Sequence, residues 1–284
     1  MWRETLTTDK PCAETRLETQ GGVSFLTFPG LGDASQLVHG ISTRLGGVSL
    51  GKLRSLNLSF KVGDEALRVE ENRLLFMNAM GISHVHAVGL NQVHGDSVRR
   101  VLKDERIPLD GILGEGDALI TDAPGMPLMI LVADCMPILI HDPVHRAIGL
   151  AHAGWRGTVN HVGAKTLLRM GEEFGTHADD VQVALGPAIG ACCYEVGPEV
   201  SESFQSVFPW AAEVLSPAGK DKYKLNLEEA NARQMVEIGV PEGQVLRAGF
   251  CTIRKSEWFY SHRAEATPEK PTGRFGALIM LKDA

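Results

Sequence analysis

Four apolar runs, ALIT, PLMILVA, PILIHD and AIGLAH, follow one another between Ala118 and His152, parted only by short stretches containing proline, glycine and aspartate. None is long enough for an ordinary helix, and none alternates apolar with polar residues along its length. Each therefore reads as a strand. Further strand runs are VSFLTF (Val23 to Phe28), HAVGLNQV (His86 to Val93), SVRRVL (Ser97 to Leu102), VQVALG, VLRAGF and ALIML. Helices are fewer. One is EALRVEENRLLFMNAMG, with Asp64 as N-cap and Gly81 as stop. A second starts at Thr158, after which Val159, Val162, Leu167, Met170 and Phe174 recur at helical spacing, and two more cover Glu199 to Phe208 and Leu227 to Ile238. This pattern predicts an α/β (α+β) fold, a single domain with a mixed β-sheet flanked by helices.

Composition narrows the function classes. The formal charge of −7, from 28 basic and 35 acidic residues, provides no basic face for nucleic acid or for anionic lipid, so neither is expected as a partner. The polar start MWRETLTTDKPCAETRLETQ lacks the apolar centre of a secretory signal, and no apolar run reaches about 18 residues. A cytoplasmic location is expected. Cys12, Cys135, Cys192, Cys193 and Cys251 are odd in number and scattered, unlike a disulfide framework, so free thiols are expected. The glycine fingerprints of dinucleotide and P-loop sites are missing.

Three segments end apolar runs with a metal-competent side chain: LNQVHGDSV with His94, LMILVADCMPILI with Cys135, and IGLAHAGW with His152. Their separations are far from those of a zinc finger. Three readings stay open. If the strands are neighbours, two imidazoles and a thiolate suit zinc and leave a fourth position open, as in a catalytic site. Cys135 can instead be a nucleophile with His152 or His94 as its base. Or it is a small buried residue and the histidines are turn residues. Cys192 and Cys193, adjacent in sequence, are poorly placed for a zinc knuckle.

For anions, STRLGGVS sets Arg44 beside a Gly-Gly bend, where it either forks onto phosphate or carboxylate with help from exposed amides, or belongs to a plain turn. In GWRGT, a helix start near Thr158 presents free N–H groups, with Arg156 as anion donor or solvated residue and Trp155 as stacking or packing residue. Asp134, beside Cys135, points the other way if the strand alternates. It orients an imidazole or serves the turn.

Read in order, HGISTRLGGVS, SLNLSFKVGD, NQVHGDSV, DALIT, ADCMPILIHDP, IGLAHAGWRGT, LGPAIGACCYEVG and TGRFGALI resemble the laccase-domain family of bacterial purine nucleoside phosphorylases, also known as the multicopper polyphenol oxidase-like or peptidoglycan editing factor family. The likeness runs from about Leu37 onward, so residues 37–284 are the expected family domain and residues 1–36 an N-terminal segment of the same domain. It implies a zinc site of His94, Cys135 and His152, with Arg44 anchoring substrate or phosphate. His262 departs from the aromatic residue, commonly tyrosine, that precedes the arginine in that family. Lys61 falls at a variable position and is assigned no role.

The implied activity is phosphorolysis of purine nucleosides (adenosine, inosine, 5'-methylthioadenosine) with adenosine deamination, so a purine nucleoside and phosphate are the expected partners. Zinc lowers the pKa of a water it binds to about 7, which suits deamination; phosphorolysis needs phosphate held by cations against the ribose, the work expected of Arg44. The alternative is a cysteine-dependent amide hydrolase editing peptidoglycan precursors. A copper polyphenol oxidase fits less well, since one Cys and two His do not supply several linked copper sites, although these ligands bind copper too. A non-catalytic metal-binding domain is the last alternative.

Overall fold

The structure, a computed structural model, describes residues 14–83, 86–108, 110–267 and 271–283; Cys12 lies outside them. Two stacked sheets form its centre. One is antiparallel, ordered β1 (Arg16–Gln20), β2 (Val23–Thr27), β3 (Leu37–Ser42), β16 (Phe275–Leu281), β8 (Leu128–Val132). The other is mixed, ordered β15 (Val245–Arg247), β11 (Gln182–Leu185), β9 (Met136–Asp142), β10 (Ala147–Ala153), β7 (Ala118–Thr121), β5 (Val98–Arg100). A ribbon of β12 (Glu195–Val196), β14 (Tyr223–Leu225) and β13 (Leu215–Pro217), and a pair of β4 (Gly89–Asn91) with β6 (Ile112–Glu115), complete the strands. The expected α+β domain with a mixed sheet flanked by helices is present, and an antiparallel sheet stacks on that mixed sheet. Strands buried on both faces carry no alternation that would say which sheet they join.

Three buried layers follow. Between the sheets, Leu139, Leu150 and Ala184 meet Ile41, Ile130 and Ala277. On the outer face of the mixed sheet, Ile138, Ile140 and Val183 pack against α3 (Val162–Phe174), α4 (Pro198–Val207), α5 (Ala211–Val214) and α6 (Leu227–Glu237). On the other outside, Val23, Phe25 and Leu278 pack against Phe76 and Met77 of α1 (Ala66–Ala79). The helix-sheet-sheet-helix order explains why every residue of β9 and β10 is buried. Residues 14–36 contribute β1 and β2, so the described part of the N-terminal segment is built into the antiparallel sheet.

Local differences have local causes. The helix expected from Thr158 starts earlier, as α2 (Trp155–Val159), and breaks where His161 takes φ of 60° before α3; Thr158 lies inside α2, buried against Asn231. At α1, Asp64 is not the cap; its carboxylate instead accepts Ser49 Oγ at 2.6 Å and Asn57 Nδ2 at 2.9 Å. The run HAVGLNQV narrows to β4 because Gln92 turns its side-chain amide onto the backbone of Leu131, donating at 2.8 Å and accepting at 2.9 Å. The run VLRAGF stops at Arg247, ahead of Gly249 with φ of 67°. A short α7 (His262–Glu265) has no signal in its four residues. Among the described residues, no helix is long and apolar enough to cross a membrane.

Leu139 has no solvent exposure and sits between the sheets. Leu139→Ala is expected to lower unfolding free energy by about 3 kcal/mol in urea denaturation, with an unchanged slope, because the sheets cannot close over the void.

Candidate metal centre

Strand register brings the expected site residues together. In β9 and β10, Met136 faces Ala153 and Pro137 faces His152, while Ala151 pairs with Ala118 of β7. Cys135, just ahead of β9, His152 near the end of β10 and Asp117, just ahead of β7, therefore share one end of the mixed sheet. His94 arrives from the loop after β4. The Cys135 sulfur and one ring nitrogen from each histidine all lie within 4.8 Å of one another. The two imidazole rings meet edge to face, with centroids 4.9 Å apart.

Asp117 fixes this arrangement. Its carboxylate, without solvent exposure, accepts backbone N–H groups from His94 (3.0 Å), Gly95 (2.6 Å) and Val93 (3.2 Å), and Nδ1 of His152 at 2.8 Å. Burial pushes its pKa up, but His152 and the Gly95 and Val93 amides outweigh that and hold it below the usual carboxylate range. An ionised carboxylate only accepts, so Nδ1 of His152 carries the proton and Nε2 faces the cluster. His94 itself sits at φ of 61°, a left-handed conformation that those amide bonds hold in place. For Cys135, burial raises the thiol pKa, yet the imidazoles of His152 and His94 beside the sulfur bring it well below the ordinary thiol range; His152 is raised in turn by Cys135 and Asp117 against its own burial.

The residues fit a metal ion. Two imidazole nitrogens and a thiolate make a borderline-soft donor set, and the carboxylate behind His152 is the usual partner of a ligating histidine. Gly154 keeps the space beside them open: a Cβ there would meet Cys135 Sγ at 2.9 Å and His94 Cδ2 at 3.3 Å.

The cluster opens on a cavity of about 640 Å³ whose walls include Arg156, Arg263, Arg274, Tyr194 and His262. Among the described residues none of those three arginines pairs with a carboxylate. Arg156 lies over the Trp155 ring at 4.3 Å, Arg263 Nη1 donates to the Glu195 carbonyl at 2.7 Å, and Arg274 Nη1 donates to the Thr272 carbonyl at 2.8 Å. Asp134 (φ of 89°) orients no imidazole: its oxygens accept Thr252 Oγ1 and the Arg263 amide, both at 2.6 Å.

Arg44 is not brought to this cluster. It lines a different cavity, of about 830 Å³, where Nη1 pairs with Glu265 Oε1 at 2.8 Å and the guanidinium lies 4.2 Å from the Tyr260 ring centre. The amides of its Gly-Gly bend are also taken: Gly47 donates to Ser55 Oγ at 2.9 Å and Val48 to Asn72 Oδ1 at 2.8 Å. The sequence reading missed Asp117, whose one signal is an acid standing immediately before the apolar run ALIT. Arg263, which follows His262, and Arg274, in TGRFGALI, stand in segments the family likeness includes, but nothing local shows that they reach this cavity from so far along the chain.

Fold and site define an α+β protein that gathers two imidazoles and a thiolate at the rim of an arginine-lined cavity. The chain belongs to the family described as multi-copper polyphenol oxidoreductase laccase, whose family model matches residues 38–282. Among its relatives, the purine nucleoside phosphorylase of Bacteroides thetaiotaomicron is 39% identical over 246 residues, covering 84% of this chain and 90% of that protein. The purine nucleoside phosphorylase YfiH of Escherichia coli is 34% identical, over 84% of this chain and 92% of its own. The crystal structure of YlmD from Geobacillus stearothermophilus superimposes with a TM-score of 0.86 at 31% identity, covering 95% of this chain and 99% of that one.

Removing Asp117 leaves buried amides and an imidazole without their acceptor. Asp117→Ala is expected to cost about 3–5 kcal/mol and to raise hydrogen exchange at the amides of Val93, His94 and Gly95, with Asp117→Asn intermediate. Unchanged exchange at those amides would refute the assignment.

Proposed function

We propose that the protein is a zinc-dependent purine nucleoside phosphorylase, with adenosine, inosine and 5'-methylthioadenosine as substrates and an accompanying adenosine deaminase activity. The observation that carries this reading is the convergence of His94, Cys135 and His152 on the wall of a cavity that also holds Arg156, Arg263 and Arg274, none of them in an ion pair with a carboxylate among the described residues. The names of its relatives as purine nucleoside phosphorylases support it.

His94, Cys135 and His152 would hold the ion. Zinc bound there supplies Lewis-acid polarisation and lowers the pKa of water to about 7. The chain's own residues do the rest. Asp117 keeps the His152 proton on Nδ1, so the other nitrogen stays a lone-pair donor. Arg156, Arg263 and Arg274 hold phosphate against the nucleoside without first breaking an ion pair. Arg44 acts at a distance in this reading, through Glu265 of α7, the helix that carries His262 and Arg263 to the cavity.

A second reading is favoured by one observation: without metal, Cys135, His152 and Asp117 form a thiolate, an imidazolium and an orienting carboxylate, the arrangement of a cysteine amide hydrolase. His94 and the space left at Gly154 weigh towards the metal. Chelation followed by restoration of zinc separates the two. Nucleoside turnover is expected to vanish and return, while alkylation of Cys135 rises and falls again; full turnover in chelated protein would retire the zinc mechanism.

Zinc is expected at one equivalent per chain by elemental analysis, and lost in the double variant Cys135→Ala, His152→Ala. Arg156→Ala is expected to raise the KM for phosphate about tenfold with zinc content unchanged. An unaltered phosphate dependence would remove Arg156 from the phosphate site.

A further inference from the structure

A second group of soft ligands lies outside this cavity. Cys192 and Cys193 belong to the loop after β11, and Cys251 follows β15, joined to that loop by an isolated bridge between Ala188 and Cys251. Their three sulfurs lie within 4.8 Å of one another, with Cys192 Sγ and Cys193 Sγ at 3.6 Å. Metal–sulfur bonds of about 2.3 Å set three sulfurs about 4 Å apart around a trigonal ion, a spacing these values bracket.

The Arg254 guanidinium lies beside the sulfurs of Cys192 and Cys193, and the backbone N–H groups of Gly190, Ile253 and Arg254 lie near Cys251. Gly190 does here what Gly154 does at the first cluster: a Cβ would come within 3.0 Å of Cys251 Cβ and 3.4 Å of Cys192 Sγ. Cys192 is exposed, so an ion can be delivered by thiol exchange at the surface. Among the described residues, no fourth His, Cys, Asp or Glu joins the group. Structural zinc takes four ligands, whereas a soft monovalent ion is satisfied by three thiolates.

We propose that Cys192, Cys193 and Cys251 form a second metal site that takes Cu(I) as a tris-thiolate. Binding breaks three S–H bonds and forms three S–Cu bonds; three protons pass to solvent and no electron moves. The site is independent of the function proposed above, since none of its ligands lines the first cavity.

The test uses the full chain, reduced, anaerobic and zinc-saturated, with Cu(I) supplied as its acetonitrile complex against a bathocuproine competitor. One equivalent of Cu(I) is expected to stay bound, with an X-ray absorption spectrum of sulfur ligands alone, and to stay bound equally in Cys135→Ala. Cys192→Ser at the exposed position and Cys251→Ser are each expected to weaken it about a hundredfold, in protein whose melting temperature shows that it is folded. Three results would each overturn the proposal: Cu(I) held equally by folded Cys192→Ser, nitrogen in the copper shell, or displacement of the copper by excess zinc.

Discussion

One buried carboxylate organises the site. Asp117 lies at the start of a strand with no exposure to water, where an unpaired negative charge would cost several kcal/mol (~3–5). Four donors answer it: three successive amides and one imidazole. Because the amides come from residues 93–95 and the imidazole from β10, the same charge fixes the backbone of one histidine and the ring of the other. The distance between the two rings is thus set by how a single carboxylate distributes its lone pairs. Cys135 then needs only the strand register of β9 on β10 to arrive beside them.

The turn ahead of β9 works in two directions. Asp134 is left-handed, a conformation costly for a residue with a Cβ, and three bonds hold it there: Ile189 donates to its carbonyl, and Thr252 and the Arg263 amide bond its carboxylate. Its side chain thus ties the loop after β15 and the first turn of α7 to the turn, while the next side chain, Cys135, faces the histidines. The alternation read from the sequence had these two residues diverge, and they do. What alternation leaves open is the destination of Asp134, since its partners lie more than a hundred residues away in sequence.

That contrast marks what was legible. Cys135 and His152 stand where apolar runs meet polar, glycine-spaced turns, and His94 stands in the loop after β4, so all three sit in turns or strand ends that a reader of sequence can find. The strands between Ala118 and Ala153 were legible for the same reason. Assignment to sheets was not, because a strand covered on both faces shows no period. Asp117 was visible only as an acid before ALIT, a position equally common in plain turns. At Arg44 the Gly-Gly bend does not present free amides at Gly47 and Val48, and its glycines are needed for contact, since a Cβ on Gly46 would run into the Gly22 carbonyl oxygen.

The charge of the cavity also runs against the charge of the chain. A protein of formal charge −7 lines this one cavity with Arg156, Arg263 and Arg274, which have no carboxylate ion-pair partner among the described residues, while Arg44, Arg100 and Arg233 elsewhere are each paired with glutamate. Unpaired cations facing one another raise the free energy of the empty cavity, and an anion entering it lowers that energy without a competing internal pair to displace. The pairing of Arg44 with Glu265 serves the same end from outside. It neutralises the acid of α7, and among the described residues Arg263 of the same helix forms no ion pair with a carboxylate. A phosphate-bearing reaction is what such an arrangement is suited to hold, because the attraction is preset by the fold and falls off steeply once the ligand leaves the low-dielectric pocket.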